Sequence, residues 1–251
     1  MRQAHSVVSR LAPRKYFRHW TTAGLDLLFP PQCAGCSAPG RRICARCAQQ
    51  VVPAPALVCA RCGRRRPADA RLCARCADSP HGDLHQVRAA SLHVEPLRTF
   101  IHRLKYEDHP DLAAPLARYL AAAFAAPDWD DIRDQIDTVA PVPMHAARRK
   151  ERGYNQAELL AAEFSSRTGL LLDTRLLRRE KFTRAQVGLN AAERHANVAD
   201  AFVATTTCAG RHMLLIDDVY TTGATLQACA AAALAAGAHL VCGLTLAMPA
   251  Q

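Results

Sequence analysis

Short apolar runs alternate with longer amphipathic stretches through most of the chain. Residues 86–93 read as a strand. In the following "EPLRTFIHRLKYED", Leu97, Phe100, Ile101 and Leu104 recur at helical spacing. A second helix is expected to run to about Ala126, with Asp111 as its cap. "IDTVAPVP", residues 136–143, has the look of a buried strand ended by prolines. The pattern then predicts a helix over 156–168, closed by Gly169. "LLLDTRLL" and "AFVAT" are strand candidates on either side of a long polar stretch. A strand over 212–217, a helix over 224–236 and a last strand in "LVCGLTLAM" complete the chain. Strands alternating with helices predict an α/β fold with a mostly parallel sheet flanked by helices. Such sheets hold ligands at the carboxyl ends of their strands. Two loops there carry unusual chemistry, 143–156 "PMHAARRKERGYNQ" and 217–225 "DDVYTTGAT".

The first third of the chain does not share this pattern. Eight of the eleven cysteines lie within residues 33–76, as four C-x-x-C pairs: Cys33/Cys36, Cys44/Cys47, Cys59/Cys62 and Cys73/Cys76. A C-x-x-C turn directs two thiolates at one metal, and two turns complete the tetrahedral set that Zn²⁺ prefers. Eight ligands therefore make two closed, structural zinc sites. Sequential pairing is the simplest arrangement, with interleaved pairing as the alternative; disulfides and iron–sulfur binding are the competing chemistries. Residues 33–80 hold almost no large apolar side chains, so a segment this small needs metal to fold. Cys208, Cys229 and Cys242 stand apart and read as small hydrophobes.

Charge follows the same division. Residues 1–80 carry 14 Lys and Arg against 3 Asp and Glu, whereas residues 81–251 carry 18 against 19. The excess of the whole chain, +10, thus belongs to its first part. Nine arginines, 41, 42, 46, 61, 64, 65, 66, 71 and 75, lie between the cysteine ligands, giving a surface suited to an anionic partner such as single-stranded nucleic acid. The plainer alternative is solubility. The expected organisation is a basic extension over 1–23, a double zinc ribbon over 24–80, and an α/β domain over 81–251. No apolar run is strong enough for a membrane span, and the N-terminal residues lack a signal-like apolar core, so a cytoplasmic protein is expected.

In "LLIDDVYTTGAT" a strand delivers two carboxylates to a hydroxyl-rich turn that opens a helix. The helix N-terminus, Gly223, and the hydroxyls of Thr221, Thr222 and Thr225 form a monophosphate cradle. Asp217 and Asp218 would repel that phosphate, but they suit the cis-diol of an attached ribose. A bare metal site, or an aspartate helix cap with an ordinary turn, accounts for fewer of these residues. The stretch resembles the phosphoribosyl-pyrophosphate (PRPP) motif of type I phosphoribosyltransferases. Together with "PVPMHAARRKERGYNQAELLA", "TRAQVGLNAAERHANVADAF", "LDLLFPPQCAGC", "LRTFIHRLKYED" and the C-x-x-C pairs, it resembles the ComF/GntX family of ComFC-type proteins over residues 24–248.

This resemblance implies a type I phosphoribosyltransferase-like domain preceded by a double zinc ribbon. It implies that Asp217 and Asp218 hold ribose hydroxyls and that Thr221, Thr222, Gly223, Ala224 and Thr225 hold the 5′-phosphate. A leaving pyrophosphate needs cations or Mg²⁺ around it. The loop 145–156 offers Arg148, Arg149, Lys150 and Arg152, with Gly153 allowing close backbone approach and Asn155 and Gln156 at a helix start. Lys181, Thr183, Gln186, Arg194 and Asn197 stand where the family implies a lid. Lys105 and Tyr106 either reach the site or end a solvated helix. No residue presents itself as a general base. Two functions are consistent with these features. One is PRPP or sugar-phosphate binding linked to single-stranded DNA handling in DNA uptake, as implied for ComF-type proteins. The other is phosphoribosyl transfer to an unidentified base or amine.

Overall fold

The computed structural model describes residues 30–78, 82–180 and 201–250. Two short helices, α1 (Ala45–Gln49) and α2 (Ala74–Ala77), belong to the cysteine-rich segment. The rest runs β1 (Val87–Leu92), α3 (Leu97–Tyr106), α4 (Ala113–Phe124), β2 (Thr138–Pro141), α5 (Ala146–Arg152), α6 (Gln156–Thr168), β3 (Leu171–Leu172), β4 (Leu177–Arg179), β5 (Phe202–Ala204), β6 (His212–Val219), α7 (Ala224–Ala235) and β7 (Leu240–Met248).

Five strands form one sheet in the order β1-β7-β6-β2-β3, and every pairing in it is parallel. This is the expected α/β architecture. β4 and β5 form a separate antiparallel pair. The central strands β6 and β7 are apolar on both sides because helices cover both faces. Alternation divides the core. Leu214, Ile216, Leu244 and Leu246 face Leu104, Leu120, Leu160 and Phe164 of α3, α4 and α6. Met213, Leu215 and Val241 face Leu226, Cys229, Ala230 and Ala233 of α7. The alanines of α7 let it lie close to the sheet.

The ribbons are built into this body. Cys33, Ala34, Cys47 and Val51 join the first core cluster beside Leu97 and Phe100, while Cys59, Cys62, Cys73 and Cys76 join the second beside Leu84 and Val87. The link between them covers the open edge of β1, where Ala54 N donates to Ala90 O at 3.1 Å and Leu92 N to Val52 O at 2.8 Å.

Local expectations differ from the structure in three places. Asp111 caps nothing: a 3₁₀ turn over Pro110–Leu112 precedes α4, and Asp111 pairs with Arg42 of the first ribbon instead. "LLLDTRLL" splits between β3 and β4, which lie in different sheets. The loop 143–156 contains a two-turn helix, α5, because Ala, Arg, Lys and Glu are all good helix formers.

Candidate functional site

The cysteines group sequentially. Cys33, Cys36, Cys44 and Cys47 bring their sulfurs within 4.8 Å of one another, and so do Cys59, Cys62, Cys73 and Cys76. A tetrahedral site with Zn–S of about 2.3 Å needs sulfurs about 3.8 Å apart. Cys36 and Cys44 lie 3.7 Å apart, and Cys62 and Cys73 lie 3.6 Å apart, far beyond a disulfide. Backbone amides support the ligands: Gly35 N and Cys44 N donate to Cys33 Sγ at 3.4 and 3.3 Å. Burial raises the Cys33 thiol, but these donors outweigh it and leave the group lowered to about 6. Cys59 is lowered to about 6 by the same balance. A preformed thiolate in each cluster suits Zn²⁺, and both sets fit closed structural sites.

A second centre lies at the carboxyl ends of β2 and β6. A cavity of 490 Å³ is lined by Asp217 and Asp218, by Thr221, Thr222, Gly223, Ala224 and Thr225, and by Arg148, Arg152, Asn155 and Gln156. Residues from two separate loops therefore converge, as the strand-end argument expects. Arg149 is turned away and pairs with Glu158 at 2.5 Å. Gly153 is not part of the lining; it ends α5 with φ +82°, a conformation that accounts for glycine there. Asn155 is buried, accepts from Ala157 N and donates to Val142 O, so it fixes the start of α6. Lys181, Thr183, Gln186, Arg194 and Asn197 lie outside the described residues.

Being consecutive in a strand, the two aspartates leave it on opposite faces. Asp218 points to the α3 side, where Lys105 Nζ lies 2.7 Å from its Oδ1. Its Oδ2 is buried and has no hydrogen-bond partner among the described residues. Burial would lower the Lys105 ammonium, but the Asp218 carboxylate reverses this and raises it. Asp217 lies toward α7, where burial, then the Asp218 charge, pushes its carboxyl up to about 7 against the opposing pull of Lys105.

The loop between β6 and α7 is tightly determined. Gly223 precedes α7 with φ +89°, and a Cβ there would lie 2.7 Å from the Tyr220 hydroxyl, so only glycine fits. Thr222 Oγ1 accepts from Ala224 N at 3.3 Å. Three lining residues were hard to find from sequence. For Lys105 and Tyr106 two readings stood open, the site or a solvated helix end; both line the cavity, with Arg152 4.9 Å over the Tyr106 ring. Arg179, at the end of β4, had no signal at all; burial and the neighbouring Arg148 lower its guanidinium.

The fold and this geometry define a class: a double zinc ribbon joined to a parallel α/β domain whose cavity is lined by an acidic strand end and a hydroxyl-rich turn. A double zinc ribbon domain family matches residues 24–77. The chain is 31% identical over 211 residues to the DNA utilization protein YhgH of Salmonella typhimurium, covering 83% of this chain and 86% of that protein. It is 33% identical over 138 residues to competence protein F of Haemophilus influenzae, covering 54% and 60%. With competence protein ComFC of Bacillus subtilis it shares 24% over 232 residues, covering 89% and 87%. The chain belongs to the ComF/GntX family. Among solved structures, B. subtilis glutamine PRPP amidotransferase in complex with ADP and GMP has a TM-score of 0.39 and 17% identity over 57% of this chain and 30% of that one. No helix among the described residues is long and apolar enough to cross a membrane.

Proposed function

We propose that the strand-end cavity binds PRPP or a closely related sugar phosphate, and that the chain couples this binding to single-stranded DNA handling in DNA uptake. One observation carries the first part. A single cavity is lined by the hydroxyl-rich turn Thr221–Thr225, by both carboxylates, Asp217 and Asp218, and by the cations Arg148 and Arg152. These three sets of groups suit a 5′-phosphate, a ribose diol and a pyrophosphate. The buried Asp218 Oδ2, without a hydrogen-bond partner among the described residues, fits an acceptor for a sugar hydroxyl or a hydrated Mg²⁺. Mg²⁺ carried with the ligand would neutralise the pyrophosphate charge. The expected result is saturable binding of PRPP with Mg²⁺ in equilibrium dialysis, uncompeted by ribose. Competition by ribose as strong as by ribose 5-phosphate would mean that phosphate recognition plays no part.

The DNA part rests on the ribbon surface and on relatives named for competence and DNA use. The structure narrows which arginines are available. Arg42 is engaged by Asp111, Arg64 by Thr221 O, and Arg66 by the carbonyls of Val58, Pro67 and Ala68. Arg41, Arg46, Arg65, Arg71 and Arg75 remain exposed. If these five meet phosphates, single-stranded DNA affinity should fall with salt at a log–log slope of about −3.5. Fluorescence anisotropy of the full chain checks this, and a slope near zero contradicts it.

Transfer chemistry is favoured by a different observation, the Asp217 carboxyl at about 7 beside the cavity. A carboxylate in this range can take a proton from an incoming amine or ring nitrogen. Pyrophosphate release from PRPP with a panel of bases tests that reading, and a silent panel leaves binding alone.

A further inference from the structure

We infer that the second zinc ribbon is a working part of the sugar-phosphate site, with Arg64 as the positioning residue that holds the phosphate cradle in its receptive shape. This rests on reading Thr221–Thr225 as the phosphate holder. Arg64 lies 157 positions before Thr221, yet its Nη2 donates to the Thr221 carbonyl. Its guanidinium carbon also sits 5.5 Å from the centre of the Tyr220 ring. Tyr220 is itself buried, donates its backbone N–H to Ala247 O at 2.8 Å, and packs against Gly223. Arg64 therefore holds both the peptide and the ring that shape the loop.

The turn carrying Arg64 is anchored to the sheet. A Cβ on Gly63 would lie 2.5 Å from Val87 O, so glycine is needed for the ribbon to press this closely on β1. Val87 N donates to Arg61 O at 2.7 Å. The buried Arg88 guanidinium donates to Cys59 O at 3.4 Å and Ala60 O at 3.1 Å. An arm fixed in this way can set the direction of a loop peptide. In a trans peptide the C=O and the following N–H point in opposite directions. Drawing Thr221 C=O toward Arg64 turns Thr222 N–H away from the ribbon. Without Arg64 that peptide is free to rotate and present its carbonyl dipole to an anion. The ribbon thus contributes through the loop, without touching the ligand.

The test uses the full-length protein with Arg64→Ala and Arg64→Lys, each confirmed to hold two zinc ions. Ribose 5-phosphate and inorganic pyrophosphate, both with Mg²⁺, are the probes. Losing a charge-assisted hydrogen bond should weaken ribose 5-phosphate binding by about tenfold or more in R64A, with pyrophosphate changed by less than about twofold. R64K, which can still donate to the carbonyl, should recover much of the loss. Amides 221–226 should exchange hydrogen faster in R64A while those of β1 do not. Equal weakening of both probes, or unchanged affinity together with unchanged exchange, overturns the inference. If the wild-type protein binds neither probe, the reading of the cavity fails. The exchange measurement then decides the brace alone: faster exchange confined to 221–226 upholds it, and unchanged exchange removes it.

Discussion

Replacing Cys59 with serine should reduce the zinc content from two ions to one and unfold the second ribbon. Structural zinc in small ribbons contributes on the order of 10 kcal/mol at neutral pH, comparable to the stability of an entire domain. Residues 59–77 have almost no apolar core of their own, since their buried side chains are mainly the four ligands themselves. The loss should spread, because these cysteines pack with Leu84 and Val87 and the ribbon docks against β1. Metal content by native mass spectrometry and thermal unfolding with and without chelator provide the measurement. Cys208→Ser is the control: Cys208 is equally buried but belongs to neither four-cysteine group among the described residues, so this variant should keep both ions. Two zinc ions retained in C59S would contradict the sequential clusters. A mass two hydrogen atoms lighter for each cysteine pair, with no zinc, would favour disulfides.

The second large effect is expected at Lys105. Its ammonium and the Asp218 carboxylate lie 2.7 Å apart with side-chain exposures of 20% and 5%. Lys105→Met removes one partner and leaves a buried carboxylate uncompensated, which should cost about 3 kcal/mol. K105M combined with Asp218→Asn should regain most of the stability, because no isolated charge then remains. Urea denaturation of the three proteins measures this. A change below about 1 kcal/mol for K105M would mean that water screens the pair as it does on a surface.

Legibility from sequence depended on how local the cause was. The C-x-x-C pairs, the strand entering Asp217 and Asp218, and the α7 start after Gly223 were readable because each is fixed by neighbours within a few residues. The parallel sheet was readable from alternation of apolar runs with helical stretches. Sequential zinc pairing was the simplest arrangement, and the sulfur geometry selects it. What escaped was assembled at a distance. Arg179 emerges from a polar stretch and becomes a cavity residue only when β4 pairs with β5. Lys105 could have ended a solvated helix, and only the packing of α3 over β6 brings it to Asp218. Arg64 was one arginine among nine until the ribbon fold put it over Tyr220. Arg149 differs: its place in the basic segment suited an anion, and in helix α5 it pairs with Glu158. Reading 143–156 as an open loop hid that periodicity.

The central claim is that Asp217, Asp218 and the following loop hold a ribose 5-phosphate group together. Calorimetric titration of PRPP with Mg²⁺ into the wild-type protein and into the Asp217→Ala, Asp218→Ala double variant addresses it most directly. The account predicts one saturable site in the wild type and no measurable heat of binding in a folded, zinc-replete double variant. Equal binding by both proteins, or none by the wild type, would contradict it.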